Sequence, residues 1–107
     1  MKEKNWPNFD KKLISKVSKV LHSGKVNYTN GLYGKKFEEK FSKFVGNKYS
    51  IAICNGTAAL EVAIKSLKLE KNSEIIVPAR TFFSSASCIV NTGNKPVFAD
   101  VDLNTQN

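Results

Sequence analysis

The feature that most constrains this chain is a change of hydrophobic period near residue 49. Upstream, apolar residues recur every three or four positions: Leu13, Ile14, Val17, Val20 and Leu21, then Phe37, Phe41, Phe44 and Val45. That spacing predicts two amphipathic helices. Downstream, short continuous apolar runs alternate with helical patterns. Tyr49–Cys54 (YSIAIC), Glu74–Pro78 (EIIVP) and Pro96–Val101 (PVFADV) read as buried strands, and Ala58–Leu67 and Thr81–Thr92 as helices between them. The order β-α-β-α-β predicts an α/β layer with parallel strands joined by crossover helices. At 107 residues the chain has room for one core.

Punctuation supports the division. Residues 1–9 read as a polar lead-in, and Asp10 is placed to cap the first helix. Gly24, Gly46 and Gly93 stand where the three helices before them should stop. Ser84, Ser85 and Ser87 weaken the helix of 81–92. The three phenylalanines at helical spacing are most simply core. The expected organisation is an N-terminal helical portion, residues 1–48, and an α/β portion, residues 49–107. The closing DLNTQN follows a buried-type strand with no helix after it, which would leave that strand uncovered.

Charge narrows the function classes. The balance of 17 Lys+Arg against 9 Asp+Glu gives +8 and suggests an anionic partner. All the basic residues but Arg80 are lysines, spread over polar helix faces. Direct nucleic-acid readout leans on the forked guanidinium, so a small basic nucleic-acid-binding domain is the weaker reading, as is a non-catalytic interaction domain. Cys54 and Cys88 lie in apolar runs without metal-site spacing, which predicts buried free thiols in a reducing compartment. No secretory leader and no membrane span is apparent, and a cytoplasmic location is expected.

Ligands of open α/β sheets bind at the carboxyl ends of the strands. Three segments occupy that edge. Asn55-Gly56-Thr57-Ala58 is a strand-to-helix turn whose free N–H groups and dipole suit a phosphate; the bland alternative is a helix cap made by Asn55 or Thr57. In Pro78-Ala79-Arg80-Thr81-Phe82 the aromatic Phe82 is placed to stack on a planar ring, or Phe82 or Phe83 simply fills the core, with Thr81 as an N-cap. Asp100 and Asp102 lack a His or Glu partner, so turn-forming or capping outweighs metal or acid–base work. His22, at the end of the first helix, reads as a C-terminal charge partner rather than a catalyst. No metal site is expected.

Together these segments are more specific than any one alone. The pair Phe37-Glu38, the turn NGTAAL, E-I-I-V-P-x-x-T-F and K-P-V-F-A-D-V-D, in this order, resemble the N-terminal part of the DegT/DnrJ/EryC1/StrS family of pyridoxal-phosphate (PLP)-dependent sugar aminotransferases. The resemblance runs from about residue 6 onward. It implies the large domain of a fold-type I PLP enzyme, a three-layer α/β/α fold with a mostly parallel sheet. By similarity Gly56, Thr57 and Ala58 bind the cofactor phosphate and Phe82 stacks on the pyridine ring. The loop Asn27–Gly31 matches a segment near the substrate entrance, with Tyr28 as the substrate-side candidate. Family members generally move an amino group, often from glutamate, to a keto group of a nucleotide-linked sugar for lipopolysaccharide, capsule or antibiotic sugars. A minority are PLP-dependent sugar dehydratases. A homodimer is the implied assembly.

The resemblance also implies that the family's Schiff-base lysine, and the aspartate that holds the pyridine nitrogen protonated, lie beyond Asn107. It further conflicts with simple pairing rules, which would set all three strands side by side; the family arrangement separates the first strand from the other two. The isolated 107-residue chain is therefore expected to give no turnover with PLP, glutamate and a keto-sugar nucleotide, and to aggregate through unpaired edges. A transamination assay and a thermal melt with size analysis check both; turnover, or a cooperative transition of a monomer, would count against these expectations.

Overall fold

The computed structural model describes residues 7–106; residues 1–6 of the expected lead-in, and Asn107, lie outside the described residues. The chain forms two compact units, one up to Ala52 and the other from Ile53.

The first unit holds α1 (Lys11–His22) and α2 (Tyr33–Val45). Asp10 caps α1 as its sequence position predicts: its carboxylate accepts from the Leu13 N–H at 2.7 Å. Gly24, at φ +66, follows the α1 C-cap Ser23, and Gly46, at φ +74, ends α2. Both angles lie in the left-handed region that glycine enters without a Cβ penalty. The phenylalanine stripe of α2 departs from expectation. Phe37, Phe41 and Phe44 pack on one another, with ring centroids 5.7 and 6.5 Å apart, yet all three are exposed, Phe44 at 86%. The reading of them as core is corrected: no described element packs against α2, so the stripe has nothing to bury against. The apolar face of α1 is exposed for the same reason.

The expected strand Tyr49–Cys54 does not form either. Residues 50–53 run without strand pairing, and Ile51 is 78% exposed. Its apolar run satisfies the side-chain requirement of a buried strand, but a strand also needs a ladder partner for its N–H and C=O groups. The Ala52 N–H donates instead to the Glu38 side chain.

The second unit carries α3 (Gly56–Ser66), β1 (Glu74–Pro78), α4 (Phe83–Asn91) and β2 (Lys95–Ala99). β1 and β2 pair in parallel, from Glu74 opposite Lys95 to Pro78 opposite Ala99, and the Ala79 N–H extends the ladder to the Ala99 carbonyl. β1 spans the residues its sequence predicts; β2 starts one residue earlier and stops two earlier than Pro96–Val101. Of three expected strands, two pair as neighbours. α4 crosses between them and covers one face. There Val77, Cys88 and Ile89 form the buried core, with Ile64, Ile75 and Ala86 packed against it. The alternation of a strand puts Ile75 and Val77 on that face and Ile76, 75% exposed, on the other. Cys88 is buried as expected, whereas Cys54 is exposed, because the segment that carries it is not taken into a sheet.

α4 begins at Phe83, two residues later than expected. Phe82 is its N-cap and offers no side-chain bond. Thr81 is not the cap; its hydroxyl donates to Ser85 Oγ at 3.0 Å. Gly93, at φ +79, follows the end of the helix.

Ile89 is the largest aliphatic side chain of the buried trio. Ile89→Ala should lower the unfolding free energy by about 3 kcal/mol, the transfer loss plus the cavity left behind. Urea denaturation of the full-length protein followed by circular dichroism measures this.

Candidate functional site

Parallel pairing fixes where ligands can approach. Pro78 lies opposite Ala99, so the segments Ala79–Phe82 and Asp100–Asp102 leave the sheet from the same edge. α4 starts from that edge. A groove of about 840 Å³ runs along the start of α3 and the start of α4. One wall is the turn Asn55, Gly56 and Thr57, continued by Ala59, Leu60 and Ala63; the other is Phe82, Ser84 and Ser85.

Asn55 caps α3, its Oδ1 accepting from the Ala58 N–H at 2.9 Å, and its own carbonyl takes the Ala59 N–H. The bland reading of the turn as a cap made by Asn55 is therefore right as far as it goes. The N–H groups of Gly56 and Thr57 and the Thr57 hydroxyl make no hydrogen bond in the described residues. Two unpaired donors at the positive end of an 11-residue helix are suited to an anion. Ala58 differs from the other turn residues, since its N–H is already engaged. Nothing in the chain stands within 4 Å of a Cβ built on Gly56, so internal packing does not demand glycine there.

Phe82 is 77% exposed and Phe83 81%; neither fills the core. Phe82 instead forms part of the groove wall, on the side opposite the α3 turn. The structure thus brings Gly56, Thr57 and Phe82 to one groove. Among the described residues no lysine or arginine lines it. Among the described residues no group of three His, Cys, Asp or Glu is placed to hold a metal ion.

Asp102 makes a turn: it accepts from the N–H groups of Asn104 and Thr105 at 3.0 and 2.8 Å, and those bonds hold its carboxyl below the usual carboxylate range. Asp100 accepts from the neighbouring Val101 N–H. His22 Nδ1 lies 2.8 Å from the Ser18 carbonyl near the end of α1.

Tyr28, in the first unit, is set by a second arrangement. Its hydroxyl donates to Glu38 Oε2 at 2.8 Å, and Glu38 Oε1 accepts from the Ala52 N–H at 2.8 Å. The Ala52 N–H foremost, and then the Tyr28 hydroxyl, hold the Glu38 carboxyl below its ordinary value of 4.5. The same Glu38 bond raises the Tyr28 phenol. Glu38 had no role beyond its place in the Phe37-Glu38 pair. That pair was the available signal, but a glutamate on an amphipathic helix reads as a solvated face until tertiary structure shows what it meets.

The DegT/DnrJ/EryC1/StrS aminotransferase family model matches residues 7–107. The chain is 40% identical over 101 residues to the spore coat polysaccharide biosynthesis protein SpsC of Bacillus subtilis, covering 94% of this chain and 25% of that protein. Among solved structures, an aminotransferase from Psychrobacter cryohalolentis superposes with a TM-score of 0.89 at 44% identity, over 92% of this chain and 25% of that one. The E. coli GDP-4-keto-6-deoxy-D-mannose-3-dehydratase with bound hydrated PLP gives 0.82 at 31% identity, over 94% and 27%. The chain spans about a quarter of the length of these relatives.

The pH dependence of the Glu38 network follows from its sign. A carboxyl whose folded value is depressed adds stability above its unfolded value and loses it as pH falls through the folded one. Stability should therefore fall as pH drops below about 4.5, and Glu38→Gln should flatten that part of the profile. Urea midpoints measured across the acid range, parent against variant, check this.

Proposed function

Because the chain belongs to the DegT/DnrJ/EryC1/StrS aminotransferase family, we propose that the groove at the start of α3 and α4 is the phosphate and ring end of a PLP site in a sugar aminotransferase. The observation that carries this is the meeting, in one groove, of an anion-ready helix start and an exposed aromatic. A phosphate and a planar ring joined in one molecule require that combination.

The roles follow from the atoms. The Gly56 and Thr57 N–H groups and the Thr57 hydroxyl donate to phosphate oxygens, each a charge-assisted bond. Gly56 leaves the turn bare, so that the phosphate approaches the backbone. Ala58 adds its N–H when Asn55 gives it up. Phe82 stacks on the ring and keeps water from one face. Bound PLP supplies an electron sink for moving an amino group. The groove binds and orients. Among the described residues the groove offers no amine for a covalent bond to the cofactor.

The substrate is a nucleotide-linked keto-sugar and the amino donor glutamate, in a homodimeric cytoplasmic enzyme. The names of two relatives support the substrate class: one belongs to spore coat polysaccharide biosynthesis, the other acts on a GDP-linked keto-sugar. Among the described residues no helix is long and apolar enough to cross a membrane. With these ligands the charge of +8 needs no nucleic acid. A second reading, a PLP-dependent sugar dehydratase, is favoured by the likeness to the E. coli enzyme. It differs in whether nitrogen reaches the sugar.

The full-length protein, given PLP, glutamate and a panel of nucleotide-linked keto-sugars, should convert glutamate to 2-oxoglutarate and yield an amino sugar by mass spectrometry. Sugar loss without nitrogen transfer selects the dehydratase. Thr57→Ala should weaken PLP binding about 10- to 100-fold and Phe82→Ala about 3- to 10-fold. Unchanged cofactor affinity in both variants would remove the groove from the PLP site.

A further inference from the structure

We infer that Glu38 is a positioning residue that turns the Tyr28 hydroxyl into a fixed hydrogen-bond acceptor for a hydroxyl group of the sugar. The inference rests on the substrate-side reading of Tyr28.

A phenol has one proton to give and lone pairs to receive with. Tyr28 gives its proton to Glu38 Oε2. An ionised carboxylate only accepts, so the direction of that bond is not reversible, and Glu38 is kept ionised by the Ala52 N–H on its other oxygen. What Tyr28 then presents outward is acceptor alone. Such a group takes an O–H or N–H donor. A phosphate, which is all acceptor, finds no donor in that hydroxyl.

The ring is held as firmly as the hydroxyl. The loop carrying it closes through the Gly31 N–H to the Asn27 carbonyl at 2.9 Å, and a Cβ at Gly31 would stand 2.5 Å from that oxygen. A Cβ at Gly34 would stand 2.7 Å from the Tyr28 ring. Both glycines are therefore needed for Tyr28 to lie where it does. Yet the side chain is 54% exposed and borders a cleft of about 170 Å³, roughly the volume of five to six waters. An exposed hydrogen bond contributes little to folding. Fixing the hydroxyl of an exposed tyrosine in a loop that two glycines allow is what a recognition group needs.

Glu38→Gln separates positioning from simple support. A glutamine still accepts from the Ala52 N–H, but its amide donates to Tyr28 and frees the phenol proton, so the ring stays while the polarity reverses. In the full-length enzyme Glu38→Gln and Tyr28→Phe should each raise KM about three- to tenfold, for the keto-sugar nucleotide consumed fastest in the panel above, with GDP-4-keto-6-deoxy-D-mannose as first probe. Neither should change kcat, and the double variant should be no worse than either single one. Wild-type KM in Glu38→Gln, or in Tyr28→Phe, overturns the inference. NMR titration of carbon-labelled tyrosine needs no substrate: Tyr28 should ionise above its ordinary value and fall back in Glu38→Gln. Ordinary ionisation in the parent protein overturns the contact itself. Failure of the whole panel with the raised ionisation intact points to the functional reading instead, and the inference falls with it.

Discussion

The parallel pairing of β1 with β2, closed by α4, is the constraint from which the rest of the second unit follows. The register sets Pro78 opposite Ala99, and that decides which edge the two chains leave from. α4 must start at that edge to cross back, and packing Val77, Cys88 and Ile89 together fixes which face it covers. With α4 in place, its first residues stand against the start of α3 and the groove exists. A parallel pair cannot be joined by a short turn, so the crossover that the topology requires is also what delivers Phe82 to the site.

The second unit shows how a helix terminus divides its labour. Asn55 satisfies one orphan donor and so stabilises α3 by about 1 kcal/mol. It leaves the Gly56 and Thr57 donors open, and these are the ones facing the groove. Capping and anion binding are usually weighed as rivals. Here the cap takes the Ala58 N–H and leaves those of Gly56 and Thr57 open, so the proposed anion site draws on different groups of the same turn.

Much of this was legible in the residues. Local rules found α1 with its Asp10 cap, the glycine stops, and β1 to the residue, because these depend on nearest neighbours and backbone angles. The turn at 55–58 was readable as a helix cap, which Asn55 makes. The failures share one cause. Phe37, Phe41 and Phe44, the segment 49–54 and Cys54 were assigned to the interior on side-chain type alone, as was Phe82 or Phe83 in the alternative reading, and burial needs a partner surface. None is buried among the described residues: no described element packs against α2 or the segment 49–54, and Phe82 and Phe83 stay exposed at the start of α4. A strand likewise requires a neighbour's hydrogen bonds, which no composition supplies.

The amino-acid sequence alone determined the four helices in their order, the glycine stops and the span of β1, all set by local propensity and spacing. It also carried the family resemblance. Tertiary structure decided which two strands pair, that Phe82 and Thr57 share a groove, and that Glu38 holds both the Tyr28 hydroxyl and the Ala52 N–H. Each of these joins residues 10 or more positions apart in the chain, and their approach depends on packing and hydrogen bonding that no local window contains.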